Sequence, residues 1–279
     1  MAGMIPDMRG PKLHEFPGDI ENIEFLKLLG PDERQRSPGE IPHGRVFLAT
    51  IDGMRYAIKI FNFFSLDEIR PFVPGAEHLL TDQVVRYQLD PFYAECRAFG
   101  RLVETKKDSL LAVRCHGYAF LPAAVEQRIT EQFGAQFLVA DWNREPTDEG
   151  QPLRAIVKDY IRFTTTYGRK KLSTMRSNIR KLNELGVYNM DIREDNYRGG
   201  RLFDFSLAIT SPHISLSLKL RSKQQIDEDV RWDLECLEEL GENEVQRKEN
   251  LKAAFYGKLR RRTLRQNTVT DMWEFDRST

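Results

Sequence analysis

Residues 187–206 read VYNMDIREDNYRGGRLFDFS, a turn-rich, charged segment that runs into a short apolar stretch. Asn196 follows Asp191 by five positions, and Asp204 follows Asp191 by thirteen. Gly200 belongs to a Gly-Gly pair of the kind that forms a hairpin turn, so LFDF is predicted to be a short strand after that turn. The pattern predicts a loop that brings carboxylate and amide side chains together.

A helix is predicted immediately before this loop. Met175, Ile179 and Leu182 recur at helical spacing and define one apolar face. Gly186 follows as the expected C-terminal cap, because glycine adopts the left-handed conformation that ends many helices. The charged loop is therefore expected to leave a helix end directly.

The first half of the chain is predicted to be rich in strands. Residues 45–61 form an alternating, aromatic and β-branched pattern around an Asp-Gly turn at Gly53, which predicts a hairpin with Lys59 on its second strand. Residues 92–104, FYAECRAFGRLVE, predict an amphipathic helix that carries Glu95. Because a buried lysine needs an acidic partner, we expect Glu95 to pair with Lys59.

These groups match the requirements of phosphoryl transfer from ATP, which needs a cation on the triphosphate and a carboxylate that anchors this cation. Protein kinases place such a lysine in a Val-Ala-Ile-Lys strand, and Tyr56-Ala57-Ile58-Lys59 is similar. Lys59 and Glu95 are therefore candidate nucleotide-binding residues. Gly44, Val46 and Ala57 on the hairpin are further candidates for contact with the nucleotide.

The remaining requirements are metal ligands and a group that accepts the proton of the acceptor hydroxyl. The spacing of Asp191 and Asn196 matches the catalytic loop of kinases, and Asp204-Phe205-Ser206 stands where kinases carry Asp-Phe-Gly. In this interpretation Asp191 orients the hydroxyl and Arg193 steadies the transferred phosphate. Asn196 and Asp204 would bind Mg²⁺, so ATP and Mg²⁺ are the expected ligands. Taken alone, Lys59 and Glu95 are better explained as solvated strand and helix positions, and Asp191, Asn196 and Asp204 also fit ordinary turn or capping positions.

The expected fold class is α+β, a two-lobed protein-kinase-like fold with an antiparallel-sheet N-lobe and a helical, reduced C-lobe. The predicted divisions are an N-terminal arm at 1–20, an N-lobe at 21–165, a reduced C-lobe at 166–245, and a C-terminal helix with a basic tail at 246–279. Insertions are expected at 31–43, 63–91 and 122–152. Prolines interrupt residues 63–91, so we expect short turns there, and we expect 122–152 to be a long loop between two strands.

The composition limits the classes of partner that the chain is expected to bind. Lys plus Arg and Asp plus Glu both number 42, so no net charge favours nucleic acid or an anionic membrane as the main partner. The three cysteines are scattered, and no apolar run reaches the length of a membrane span. We expect an intracellular protein, nuclear rather than cytoplasmic. The basic cluster at 258–265 fits a nuclear-import signal, a DNA phosphate contact or a solvated helix end.

The chain resembles a fungal kinase-like family named for a subunit of an inner-kinetochore complex, the Sim-four complex. The resemblance spans residues 11–213, and its most specific segment is LGVYNMDIREDNYRGGRLFDFSLAITSPH. It implies a protein-kinase-like fold. For family members placed at the kinetochore, it implies protein partners and a structural role beside centromeric chromatin.

The sequence departs from active protein kinases in four places. A long insertion separates Gly30, Gly39 and Gly44, so no G-x-G-x-x-G loop exists. Asn189-Met190 replaces the usual His-Arg, Ser206 replaces a glycine, and no Ala-Pro-Glu follows. Three functions therefore stay open: an atypical kinase that phosphorylates a protein hydroxyl, a pseudokinase that serves as an interaction module or scaffold of the inner kinetochore, and a small-molecule phosphotransferase.

Overall fold

An antiparallel sheet forms the first half of the chain in the computed structural model, which describes residues 8–30, 42–70, 73, 80–137, 141–162, 169–198 and 200–242. Its strands are β1 (Glu24–Leu29), β2 (Gly44–Ile51), β3 (Met54–Phe61), β4 (Cys115–Leu121) and β5 (Leu153–Asp159). They lie in the order β1-β2-β3-β5-β4. The predicted hairpin is confirmed as β2 and β3, and its Gly53 turns at φ 76°.

Helices lie between and after these strands. They are α1 (Leu66–Ile69), α2 (Asp82–Leu89), α3 (Pro91–Glu104), α4 (Asp108–Leu111), α5 (Ala123–Phe133) and α6 (Arg169–Glu184). Two short antiparallel pairs follow: β6 (Val187–Tyr188) with β9 (Ile209–Thr210), and β7 (Tyr197–Arg198) with β8 (Arg201–Leu202). Residues 223–242 are helical. The chain is therefore α+β, as its sequence predicts.

One face of the sheet carries the main hydrophobic core. Val125, Ile129 and Phe133 of α5 are buried against strand residues that include Phe47, and Trp142 closes the same core. The prediction of a long loop over 122–152 is thus wrong in its first part. Apolar residues at spacings of four give α5 a buried face, and burial of that face stabilises the helix.

The opposite face of the sheet packs against α3. Phe61 of β3 meets Phe92 of α3 with ring centroids 5.5 Å apart. Asp90 caps α3 by accepting a hydrogen bond from the backbone N–H of Phe92 at 2.9 Å. The helix predicted over residues 92–104 is confirmed, and its Glu95 is turned toward the sheet and fully buried.

Two arginines tie α3 to the segment after β9. Arg97 donates through Nη2 to the carbonyl of Thr210 at 2.7 Å, and Arg101 donates through Nη2 to the carbonyl of Ser211 at 2.8 Å. Charged donors make strong hydrogen bonds when they are shielded from water. The helix that carries Glu95 is therefore held from the sheet side and from the second half of the chain.

The N-terminal residues lie along β4. The backbone N–H of Phe16 donates to the carbonyl of Tyr118 at 2.7 Å, and the N–H of Tyr118 donates to the carbonyl of His14 at 3.0 Å. A side chain at Gly100 of α3 would meet the backbone carbonyl carbon of Lys12 at 2.6 Å, so glycine permits this close approach. The arm thereby covers one edge of the sheet.

The segment 63–91 also differs from its prediction. It contains α1 and the eight-residue helix α2, which Thr81 caps by accepting from the N–H of Val84 at 3.4 Å. The prolines limit the segment to short helices but do not exclude helix from it.

By its contacts the chain divides into two units, Met1–Cys236 and Leu237–Thr279, and every residue of the candidate site lies in the first. Within the described ranges, no helix combines the length and the apolar character that crossing a bilayer requires. The predicted tail at 246–279, with the basic cluster at 258–265, lies outside the described residues, as does most of the predicted insertion at 31–43.

Candidate functional site

Lys59, Glu95 and Asp204 converge in one buried ionic cluster. The ammonium of Lys59 on β3 donates to Glu95 Oε2 at 2.9 Å and to Asp204 Oδ1 at 2.7 Å. Lys59 is 3% exposed and Glu95 is 0% exposed, so both charges are shielded from water. The pairing predicted between Lys59 and Glu95 is present, and Asp204 completes it from the second half of the chain.

A second lysine, which the sequence analysis did not select, belongs to the same cluster. Lys158 on β5 donates to Glu95 Oε1 at 2.6 Å and to the backbone carbonyl of Phe203 at 2.8 Å. Ala57 and Lys158 are directly paired across β3 and β5, so Lys158 and Lys59 emerge from the same face of the sheet. Glu95 therefore bridges two ammonium groups.

The charges in the cluster shift each other's protonation. Burial by itself would raise the pKa of the Asp204 carboxyl, but Lys59 and Lys158 together lower it below its ordinary value. Burial would likewise lower the pKa of Lys59, but Asp204 and Glu95 raise it. Opposite charges at hydrogen-bond distance favour the ionised form of both partners. Lys59 and Asp204 are therefore held as a charged pair at neutral pH.

Asp191, Arg193 and Asn196 form a second group in the loop that follows β6. Asn196 Nδ2 donates to the backbone carbonyl of Asp191 at 2.8 Å and to Asp191 Oδ2 at 2.7 Å. Arg193 Nη2 lies 3.3 Å from Asp191 Oδ2, and the Arg193 side chain is 61% exposed. The residues predicted to act on the acceptor hydroxyl are thus neighbours at a solvent-accessible surface.

Asn189 joins the two groups. Its Nδ2 donates to the backbone carbonyl of Asp204 at 2.6 Å, and its Oδ1 accepts from the N–H of Asp191 at 3.1 Å. Asn189 is buried, so these hydrogen bonds are shielded from water. Asn189 thereby links the loop at Asp191 to the backbone of Asp204.

Asp233, in the helical run at 223–242, holds the start of the loop through two hydrogen bonds to its backbone. Its Oδ2 accepts from the N–H of Asn189 at 2.7 Å and its Oδ1 accepts from the N–H of Met190 at 2.8 Å. Met190 has a φ of 65°, a conformation that non-glycine residues rarely adopt, and these bonds help to hold it. Burial raises the pKa of Asp233 to about 6, although both backbone N–H groups lower it.

The segment at the start of β2 lies over Ser206. His43 and Ser206 share a hydrogen bond between Nδ1 and Oγ at 3.1 Å. A side chain at Gly44 would come within 2.2 Å of the carbonyl oxygen of Ile60, so only glycine allows this approach of β2 to β3. Asn62 Nδ2 fixes the same segment by donating to the carbonyl of Pro42 at 2.7 Å. Gly44 therefore has a structural reason for being glycine.

A cavity of about 630 Å³ opens beside the cluster, within the size range of small-molecule sites. Its walls include Val46 and Ala57, two of the predicted nucleotide contacts, as well as Lys158 and Phe203. Lys158 lines the cavity and bonds to Glu95, whereas Lys59, Glu95 and Asp204 are not among the lining residues. The other lining residues are Lys27, Leu28, Leu29, Gly30, Val113, Asp159, Tyr160, Ile161, Arg162, Arg193, Asp195 and Arg198.

The sequence patterns do not identify three residues of the site as functional: Lys158, Asn189 and Asp233. Lys158 had a local signal, because it is a charged residue within the apolar strand RAIVKDYI. Asn189 was noted only as a departure from the kinase pattern. Asp233 had no local signal, since its partner Asn189 lies 44 positions away along the chain.

Comparison with known proteins gives one family. The family model described as "Kinetochore Sim4 complex subunit FTA2" matches residues 2–209. The comparison with curated proteins gives no match. The matched residues cover most of the chain and include Lys59, Glu95, Asp191 and Asp204. The chain therefore belongs to the family of kinetochore Sim4 complex FTA2 subunits.

Proposed function

We propose that this protein is a kinase-like, nucleotide-binding subunit of a kinetochore complex, in which the folded domain serves as an interaction module for protein partners. The observation that carries the proposal is the convergence of Lys59, Glu95 and Asp204 beside a cavity of about 630 Å³. A cavity of this size, lined by the apolar Val46 and Ala57 as well as by basic residues, suits a ligand with an apolar base and a phosphate chain.

The arrangement of elements supports a two-lobed kinase-like fold. A five-stranded antiparallel sheet presents Lys59, and a helix on one of its faces presents Glu95. Asp204, which follows β8 and lies 145 positions after Lys59, reaches the same point. A buried ionic cluster persists only when its charges are paired. Chance is therefore a weak explanation for the contacts among these three residues, which also occur in the order of the kinase pattern.

The kinetochore part of the proposal rests on the family. The family is named for a subunit of a kinetochore complex, which supports protein partners and a nuclear location for this chain. The broken glycine-rich loop and the exposed Arg193 support binding rather than efficient catalysis as the retained property of the site.

A thermal-shift titration with ATP tests nucleotide binding. Ligand at one hundred times its Kd stabilises the folded chain by about 2.7 kcal/mol. Wild type should therefore melt at a higher temperature with ATP, whereas Lys59→Met should lose the shift. Lys223→Met, at an exposed helical position, is the matched control and should keep the shift. A wild-type chain that ATP does not stabilise would contradict the proposal.

Phosphoryl transfer is a second candidate function, favoured by the contacts among Asp191, Arg193 and Asn196. If the loop is catalytic, Asp191→Asn should lower ATP turnover by about 10²- to 10⁴-fold and leave ATP affinity unchanged. Peptides and hydroxyl-bearing metabolites, tested as acceptors in parallel, would distinguish a protein kinase from a small-molecule phosphotransferase. Equal turnover in the variant would rule out this role for Asp191.

A further inference from the structure

His43 connects the start of β2 to the hydrogen bonds of the ionic cluster. Its Nδ1 lies 3.1 Å from the hydroxyl oxygen of Ser206, a residue 163 positions away along the chain. The backbone N–H of Ser206 donates to Asp204 Oδ1 at 2.9 Å, and the same oxygen accepts from the ammonium of Lys59 at 2.7 Å. The imidazole is therefore linked to Lys59 through two intervening residues.

The backbone of His43 is fixed, although the residue is exposed to solvent. Its carbonyl accepts from the N–H of Asn62 at 3.0 Å, and Asn62 Nδ2 donates to the carbonyl of Pro42 at 2.7 Å. The close packing of Gly44 against Ile60 holds the other side of the segment. Exposed side chains change rotamer within nanoseconds, so the imidazole is the part of His43 that can move without disturbing β2.

Only one charged side chain of the cluster is accessible to solvent to a useful extent. The side chain of Asp204 is 22% exposed, whereas those of Lys59, Glu95 and Lys158 are at most 4% exposed. Lys59 and Asp204 are also not among the described residues that line the cavity. A phosphate that is to reach Lys59 must therefore approach beside Asp204, where Ser206 holds the imidazole of His43.

We propose that the contact between His43 and Ser206 is autoinhibitory: it closes the approach to Asp204 and Lys59, and a nucleotide binds fully only after the imidazole has left Ser206. This inference rests on the proposed nucleotide-binding function and adds the regulation of that site. A ligand that binds only the open form loses affinity in proportion to the fraction of molecules that are open. One hydrogen bond beside solvent is weak, so the contact lowers the affinity without abolishing it.

Calorimetric titration of the full chain with ATP in Mg²⁺ buffer tests the proposal. His43→Ala and Ser206→Ala each remove one partner of the contact, so each should lower the Kd by about fivefold. His14→Ala is the matched control, because His14 is also exposed but lies in the arm along β4, and its Kd should equal that of wild type.

The direction of the change in Kd decides between inhibition and ligand binding by His43. A higher Kd in His43→Ala would mean that the imidazole binds the nucleotide, and it would overturn the inference, as would an unchanged Kd. In both cases the proposed function stands. Absence of ATP binding in wild type and in both variants would overturn the proposed function and the inference with it.

The double variant His43→Ala/Ser206→Ala shows whether the two residues act through one contact. If they do, its Kd should lie within about twofold of the Kd of either single variant. Gains that multiply to about 25-fold would mean that the two side chains act independently, which contradicts a shared contact.

Amide hydrogen exchange of the ligand-free chain tests the contact without a nucleotide. Since the N–H of Ser206 is bonded to Asp204 beside the imidazole, His43→Ala should make the Ser206 amide exchange several times faster. The amide of Ile58, on the buried strand β3, is the internal control and should exchange at the wild-type rate. Unchanged exchange at Ser206 would overturn the inference even if the Kd falls, because the variant would then act elsewhere.

Discussion

The two halves of the candidate site differ in how firmly they are built. Lys59, Glu95 and Lys158 are buried, and each is held by at least two hydrogen bonds at 2.9 Å or less. Arg193, in the loop that carries Asp191, is 61% exposed, and its ion pair with Asp191 is 3.3 Å long. The residues that would hold a nucleotide are therefore buried and ion-paired, whereas Arg193, in the loop that would transfer a phosphate, is open to solvent.

This difference indicates which property the structure preserves. A buried charge cluster tolerates little change, because loss of one partner leaves an uncompensated charge in a medium that solvates it poorly. An exposed ion pair contributes little, because water and salt screen it. The contrast agrees with the proposal that the site binds a nucleotide.

The largest effect is expected from Glu95→Gln. This change leaves the ammonium groups of Lys59 and Lys158 without the carboxylate between them, so we expect the free energy of unfolding to fall by about 3–5 kcal/mol. Urea unfolding of both proteins measures it. Glu131→Gln, on the exposed side of α5, is the control and should change stability little. If Glu95→Gln lowers the free energy of unfolding by less than about 1 kcal/mol, the buried cluster contributes no more to stability than an exposed ion pair such as that of Arg193.

A pH-dependent effect is expected at Asp233, beneath the loop. Its pKa is about 6 in the folded chain against an ordinary value of 3.8, so folding favours the protonated carboxyl. The stability from this preference is complete below about pH 4 and is lost as the pH rises through about 6. Between pH 4 and pH 7, wild type should therefore lose about 2 kcal/mol relative to Asp233→Asn.

Thermal or urea unfolding across this pH range checks the prediction for Asp233. Because asparagine does not titrate, the change with pH in the stability difference between the two proteins isolates the Asp233 carboxyl. Parallel pH profiles for the two proteins would mean that Asp233 does not titrate between folded and unfolded chains as the structure indicates.

The smallest effect is expected at Arg193. Because its side chain is exposed, Arg193→Ala should change the free energy of unfolding by less than about 1 kcal/mol. Equilibrium unfolding in urea measures the change. A loss as large as that of Glu95→Gln would remove the distinction between the buried cluster and the loop.

Local patterns made part of this structure predictable. The alternation of residues 45–61 predicts the hairpin, and the spacing of apolar residues predicts α3 and α6. Helix α6 ends at Glu184, and Gly186 follows it with a φ of 72°. The pairing of Lys59 with Glu95 followed from chemistry, since a buried lysine requires an acid. These features depend on neighbours in the sequence or on one strong charge rule.

Other features depend on contacts between distant residues. Helix α5 was predicted as loop, and its Ile129 acquires a reason to be helical only when the sheet covers it. Lys158 gains its role only beside Glu95, which lies 63 positions away, and Asp233 only beside Asn189. The roles predicted for Asp191, Arg193 and Asn196 stay predictions, because proximity alone does not show catalysis.

Photolabelling with 8-azido-ATP, followed by mass spectrometry of the cross-linked peptides, tests the central claim most directly, because it reports both binding and its place. The account predicts that the label attaches to peptides lining the cavity, such as those that contain Val46, Tyr160 or Phe203, and that unlabelled ATP competes it away. Labelling elsewhere in the chain, or labelling that ATP does not reduce, would contradict the assignment of this cavity as a nucleotide site.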